Sequence, residues 1–262
     1  MSSPPSEKAR HAVALSDLAP GATDGPMEPR LRELLIEHLG PHLTEHRLQR
    51  MHTVVSRRTR WLTVVLEDIY QPHNASAVLR SCECFGIQDV HVVEDRNRFK
   101  ISRDVALGAS RWLDLHRWRA SAGQRIDDCC DQLTSSGYRL VAATPRKDAV
   151  ALEDLDVTAG PVAVMFGTEL KGLTPAALER ATEAVHIPMY GFTESFNISV
   201  SAALILRELS ARMRASGAAW KLDHDETRDL LLSWMRRSIN HSEDLIDLFF
   251  ESAGSGTDKE GA

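Results

Sequence analysis

The chain has 262 residues, of which 43% are apolar and 26% charged, and a formal net charge of −6. That is enough for one large packed domain with appendages. It excludes a transmembrane helix, because no run of about 18 apolar residues occurs, and a disulfide scaffold, because four cysteines are too few in a chain of this length. Cys82 and Cys84 are spaced by one residue and Cys129 and Cys130 are adjacent; neither pair has C-x-x-C spacing and no His pair completes a zinc site. Reduced thiols in a cytoplasmic protein and no metal are therefore expected. The first residues lack a basic start followed by an apolar block, so no secretory signal is expected.

Residues 1–27 are rich in Pro, Ser, Ala and Gly without a sustained period and read as a disordered tail. Residues 28–60 read as a basic helical arm. Leu31, Leu34, Leu35 and Leu39 share one helical face, and Gly40-Pro41 ends that helix. Thr44 suits the N-cap of a second helix. Arg47, Arg50, Arg57, Arg58 and Arg60 follow with no acid among them, so an acidic total hides a basic face. Such a run is either a solvated helix face or a nucleic-acid surface. A second basic group holds Arg96, Arg98, Lys100 and Arg103.

Residues 61–216 alternate strand and helix. Strands are expected at 61–67, 89–94, 138–144, 161–166 and 185–189. The turn at Gln71-Pro72-His73 places Asn74 at a helix N-cap, with helix from 75 to 85 and Gly86 as its stop. Further helices are expected at 127–136, 175–182 and 198–215, the last buried along its apolar first half. The alternation implies an α/β sheet with parallel pairing. Residues 217–252 read as C-terminal helices. Leu230, Leu231, Trp234 and Ile239 form one apolar face; Leu245, Ile246, Leu248, Phe249 and Phe250 form another. Acids crowd this end, from Asp223 to Glu251, and 253–262 read as a second disordered tail.

Two segments carry residues suited to chemistry. The first runs from Pro72-His73-Asn74 through Arg80-Ser81 to Phe85-Gly86. Asn74 suits a helix cap or a ribose contact; Arg80 suits a surface position or a charge that steadies an anion. The second segment is Gly167-x-Glu169-x-x-Gly172 after a buried strand, followed by Ile187-Pro188-Met189 and Ser195-Phe196-Asn197 before the long helix. By spacing alone Glu169 reads equally as a surface acid, and Ser195 and Asn197 as N-cap residues. No G-x-G-x-x-G follows the first strand, which weighs against a generic dinucleotide-binding domain.

Together these segments, with Arg57-Arg58 before Leu62-Thr63-Val64, Gly108 before Trp112 and Gly137-Tyr138 before Ala142-Ala143-Thr144, resemble the TrmH family of ribose 2'-O-methyltransferases in the SPOUT superfamily. The resemblance runs from about Arg57 to Glu208 and departs at Phe196, where the family usually has Leu, in the longer N-terminal extension and in the acidic C-terminal helix. It implies a parallel sheet with a C-terminal trefoil knot flanked by helices, S-adenosylmethionine as cofactor and a homodimer. It implies catalytic roles for Arg80, Asn74, Glu169, Ser195 and Asn197. Cofactor contacts would come from Thr144, Phe166, Gly167, Glu169, Ile187, Met189, Ser195 and Phe196, and RNA contacts from Arg47, Arg50, Arg57, Arg58, Arg60 and Arg111. Leu204, Ile205 and Leu209 suit either the dimer contact or the intrachain core. The flanking helices are similar to the tRNA-binding arms of members acting on guanosine 18 of the D-loop. Another tRNA site, ribosomal RNA, or a non-catalytic RNA-binding module are the alternatives.

Overall fold

A computed structural model describes residues 27–119, 125–146 and 149–255. The chain divides into two compact units, one of residues 56–222 and one joining 27–55 to 223–255. The expected tails at 1–27 and 253–262 lie largely outside the described residues. No described helix is long and apolar enough to cross a membrane.

The larger unit runs β1 (Leu62–Glu67), α3 (Pro72–Phe85), β2 (Asp89–Glu94), α4 (Arg103–Ala106), β3 (Asp114–Arg119), α5 (Ile126–Ser135), β4 (Arg139–Ala143), β5 (Val150–Ala151), β6 (Val162–Phe166), α6 (Pro175–Arg180), β7 (Glu183–His186) and α7 (Ile198–Ala215). All pairings are parallel and the sheet order is β3-β2-β1-β6-β4-β7-β5. Central β1 and β6, in register from Leu62 opposite Val162 to Leu66 opposite Phe166, are buried throughout. Strands covered on both faces read as near-continuous apolar runs: β6 is apolar throughout, and β1 is interrupted at Thr63 and closed by Glu67.

Alternate residues feed two cores. Leu62, Val64 and Leu66 pack with Val78, Leu79 and Cys82 of α3 and Ile205, Leu206 and Leu209 of α7. Val65, Ala163 and Met165 pack on the other face with Cys129, Cys130 and Leu133 of α5 and Ala177 of α6. Ile205 and Leu209 thus belong to the intrachain core, whereas Leu204 stays exposed. The thiols of Cys82, Cys129 and Cys130 are buried, and burial pushes their pKa values up. Gly86 ends α3 at φ 79°, the left-handed region, where an added Cβ would meet Arg57 O at 2.6 Å.

Several expectations shift. Helix α3 begins at Pro72, with Gln71 as its cap, so Asn74 sits inside the first turn. Strand β7 ends at His186, and 187–197 has no regular structure. Strands β3 and β5 were not expected: β3 is a polar edge strand and β5 has two residues.

The second unit contains α1 (Pro29–Leu39), α2 (Glu45–Val55), α8 (His224–Ser238) and α9 (Ser242–Ser255). Thr44 Oγ1 accepts from Arg47 N at 3.2 Å, as a cap does. Helix α8 packs against α1, α2 and α9, so the two terminal segments form one bundle. Its buried side chains include Leu35, Leu39, Met51, Val55, Leu230, Leu231, Trp234 and Met235. The buried Arg32 guanidinium pairs with Asp225 and with Asp229, and Glu33 pairs with Arg228. Part of the C-terminal acidity is therefore spent on neutralising α1.

Candidate active site

In an open parallel sheet, loops leaving the carboxyl ends of neighbouring strands converge on one side. Strands β6, β4 and β7 are adjacent. The segments that follow them, beginning at Gly167, Thr144 and Ile187, surround a cavity of about 430 Å³ together with the start of α7. That volume suits a small organic ligand. Phe166, Leu173, Val185, Ile187, Met189 and Phe196 give it apolar walls, and Thr144, Arg146, Lys171, Glu194 and Ser195 supply polar edges. All eight positions expected from the resemblance to touch a cofactor (Thr144, Phe166, Gly167, Glu169, Ile187, Met189, Ser195 and Phe196) line this one cavity.

The turn after β6 is closed tightly. Thr168 N donates to Gly172 O at 2.9 Å and Gly172 N to Thr168 O at 2.8 Å. A Cβ on Gly167 would lie 2.1 Å from the Gly172 carbonyl carbon and the Leu173 nitrogen, so only glycine fits. Glu67, at the end of β1, fixes the far side of the turn by accepting from Thr174 N at 2.8 Å and Thr174 Oγ1 at 2.6 Å. Burial of this carboxyl raises its pKa, against the opposing effect of those hydrogen bonds. Thr174 Oγ1 in turn caps α6 by accepting from Ala177 N.

Beside the cavity, three expected residues meet. Asn74 Nδ2 donates to Glu169 Oε1, and also to Gln71 Oε1 at 3.1 Å. Asn197 Nδ2 lies 3.3 Å from both Glu169 Oε1 and Asn74 Oδ1. Asn197 also caps α7, its Oδ1 accepting from Ser199 N at 2.9 Å. One carboxylate is thus held by two amides, with no ion pair to it among the described residues. Ser195 lines the cavity and has no side-chain bond in this cluster. Arg80 is exposed further along α3 and has no polar partner among the described residues. Six residues are about 1.7 turns of helix, so Arg80 does not share the Asn74 face.

The expected RNA contacts separate. Arg47 and Arg50 are exposed on α2, Arg57 is exposed, and Arg111 is exposed with its guanidinium 5.7 Å from the Trp112 ring centre. Arg58 is 1% exposed, 3.1 Å from Glu83, and donates to Ile87 O at 3.2 Å. It holds the fold together and is not available to a ligand. Arg60 is bound to Asp89 at 2.9 Å and Asp114 at 3.2 Å.

Gln71, Glu67 and the cavity-lining Arg146 and Lys171 were not among the expected site residues. A carboxylate closing a mostly apolar strand was the available signal for Glu67; Arg146 lies two residues beyond Thr144.

The SpoU rRNA Methylase family matches residues 61–207. A tRNA (guanosine(18)-2'-O)-methyltransferase of Borreliella burgdorferi is 37% identical over 210 residues, covering 80% of this chain and 94% of the relative. A Thermus thermophilus protein of the same name is 33% identical over 197 residues, covering 74% and 98%. The crystal structure of an A. aeolicus TrmH/SpoU tRNA modifying enzyme superposes with a TM-score of 0.67 at 26% identity, over 75% of this chain and 98% of that one. With the family matched over more than half of its length and relatives matched along nearly the whole of theirs, the chain belongs to the SpoU methylase family.

Proposed function

We propose that the chain transfers a methyl group from S-adenosylmethionine to the ribose 2'-oxygen of guanosine 18 in the tRNA D-loop. The observation that carries this reading is the juxtaposition of an apolar cavity with the Asn74–Glu169–Asn197 cluster at the carboxyl ends of β6, β4 and β7. The nucleoside specificity is taken from the names of the Borreliella and Thermus relatives, which match along nearly their whole length.

The cavity fits the cofactor by the chemistry of its lining. A flat adenine suits the slot between Ile187, Met189, Phe196 and Phe166, and main-chain groups of the 167–173 turn and the 187–197 segment offer it donors and acceptors. When bound, the cofactor supplies an electrophilic methyl on a sulfonium. This chain's residues then align the ribose, and alignment is worth on the order of 7–11 kcal/mol of barrier in well-oriented reactions. Asn74 and Asn197 fix the Glu169 carboxylate at the ribose side. The Arg80 guanidinium steadies the alkoxide that develops as the 2'-hydroxyl loses its proton to a phosphate oxygen or water. It does so as a charge and not as a base, because a guanidinium is not deprotonated in a protein.

Arg80 stands apart from the cluster in a single chain, which favours a site completed by a second copy. Exposed Tyr190, Phe192, Val200 and Leu204 are apolar surface that such a homodimer would cover. The 167–173 and 187–197 segments are the ones a trefoil knot would thread. An enzyme acting on tRNA would work in the cytoplasm.

The test is methyl transfer to two tRNA transcripts that differ only at position 18. Label should enter the transcript with a 2'-hydroxyl on guanosine 18 and be absent from the 2'-deoxy form. Equal labelling of both would move the target elsewhere in tRNA, and transfer to ribosomal RNA alone would replace the substrate.

A further inference from the structure

Between β2 and α4 the chain runs from Asp95 to Ser102 without regular structure. Its residues alternate. Phe99 is buried and Ile101 packs on the core, with Asn97 half-buried, whereas Arg96, Arg98 and Lys100 between them are exposed. Arg103, exposed on the first turn of α4, continues the row. Segment 95–104 holds four cations and two acids, Asp95 and Asp104, in a chain whose total is −6. Arg96 lies 3.6 Å from Asp95; Arg98, Lys100 and Arg103 have no ion pair among the described residues.

Cations on a slack loop would be ordinary solvated surface, but this main chain is fastened at three points. Asp68, directly after β1, accepts from Arg96 N at 2.8 Å and Asn97 N at 2.7 Å, and Asn97 Nδ2 donates to its carboxylate and carbonyl, each at 3.1 Å. Asp68 holds a φ of 54°, a left-handed conformation that is unfavourable outside glycine and persists where surrounding bonds demand it. The Glu94 carboxylate accepts from Phe99 N at 2.7 Å, and Arg117 lies 5.5 Å from the Phe99 ring centre. Ser102 N donates at 2.8 Å to Ser76 Oγ, a buried group on α3 two residues from Asn74. The loop is therefore tied to the elements that carry the site, and its uncompensated cations point outward.

We propose that loop 95–103 is a phosphate-binding arm that grips the substrate RNA backbone next to the target nucleotide, through Arg98, Lys100 and Arg103. The chemistry is that of a polyanion and not of a protein partner. The exposed residues from 95 to 104 are all charged, whereas protein interfaces bury an apolar or aromatic centre. Lysine and arginine contacts to phosphate position a strand without reading bases. The arm leaves the carboxyl end of β2, the same end of the parallel sheet as the cavity. It lies outside the arginine run at 47–60 and rests on the reading of this chain as a tRNA methyltransferase.

The test is the variant R98Q/K100Q/R103Q of the full chain, with unmodified tRNA transcript as the probe, read by direct binding over a salt series and by turnover. The three substitutions are on the surface and should leave the thermal midpoint near wild type. Affinity for tRNA should fall at least tenfold at low salt, and the slope of log K against log salt should shrink by about 2, from ~0.7 per lost phosphate contact on a single strand. The loss should fall on KM for RNA more than on kcat, and binding of S-adenosylmethionine alone should be unmoved. Wild-type affinity and slope in the variant would overturn the arm. Wild-type protein that binds tRNA without methylating it, while the variant loses slope, would uphold the arm and overturn the proposed substrate. Failure of the wild type to bind tRNA at all would overturn both.

Discussion

Two polar clusters in the sheet unit differ in how their charges are met. On the β2–β3 side, Asp89 is bound by Arg60 at 2.9 Å and by His116 Nε2 at 2.9 Å, and Asp114 is bound by Arg60 at 3.2 Å. His91 stacks on His116 with ring centres 4.6 Å apart and accepts from Trp118 Nε1. Each of these carboxylates has a cation. At the carboxyl ends of β6 and β7, the Glu169 carboxylate is held by amides, and Arg80 on α3 has no partner among the described residues. Matched charge stabilises a fold; a carboxylate held only by amides in the lining of an apolar cavity, as Glu169 is, is where a substrate's own groups can be received, with Arg80 standing apart from it.

The contrast predicts different failures in the two regions. The largest effect should come from Arg80→Ala, a loss of about 10²–10³ in kcat with cofactor affinity retained, if its charge meets a developing oxyanion. Steady-state kinetics with calorimetry of cofactor binding would decide this, and unchanged turnover would remove Arg80 from the mechanism. Arg58→Ala should act in the opposite sense. It strands Glu83 and removes a buried guanidinium, costing about 3 kcal/mol of stability with RNA affinity preserved below the melting transition. Denaturant unfolding and RNA binding on one preparation would separate those outcomes.

The matched cluster also carries a pH signature. Burial, then the neighbouring His116, pushes His91 down to about 4, below its ordinary 6.5. Between those values the unfolded chain binds the proton and the native state does not, so stability falls as pH drops from about 6.5 toward 4, on the order of 2–3 kcal/mol. His116 works over a higher window. Its pKa is raised, chiefly by the hydrogen bond to Asp89, so its stabilisation is complete below about 6.5 and is lost as pH rises through its folded value. His91→Gln should flatten the acidic arm of an unfolding series from pH 4.5 to 7; an unaltered arm would assign the acid sensitivity elsewhere. The smallest effect should be that of neutralising Arg47 and Arg50 on α2, a reduction of about 1.4 in the salt slope of tRNA binding, at ~0.7 per lost phosphate contact. A slope equal to wild type would make them solvated surface.

What could be read from the sequence follows from the same distinction. Strands β1 and β6 were legible because burial on both faces leaves a run that is mostly apolar, broken in β1 only by Thr63 before Glu67 closes it, and α7 because its first half is largely apolar. Edge strand β3, Asp-Leu-His-Arg-Trp-Arg, was not legible, because its polar side chains are bound across to β2 and to neighbouring charges and leave no alternation to detect. Ile187 and Met189 looked like strand because they are apolar, yet they line the cavity and pair with nothing in the sheet. Pro72 in the first turn of α3 was a start signal that placed Asn74 within the helix. The candidate site was legible as residue types at fixed offsets in loops. The contact of Asn74 with Glu169, 95 residues apart, was not, since only the adjacency of β1 and β6 produces it. Nor could the arginine run show that Arg58 turns inward while Arg57 faces solvent.

The most direct test offers labelled S-adenosylmethionine and unmodified tRNA to the purified protein and maps the labelled nucleotide by mass spectrometry. A single 2'-O-methylguanosine at position 18 is the predicted result. Cofactor binding without label in any ribose would contradict the assignment of the Asn74–Glu169–Asn197 cluster as a methyl-transfer site.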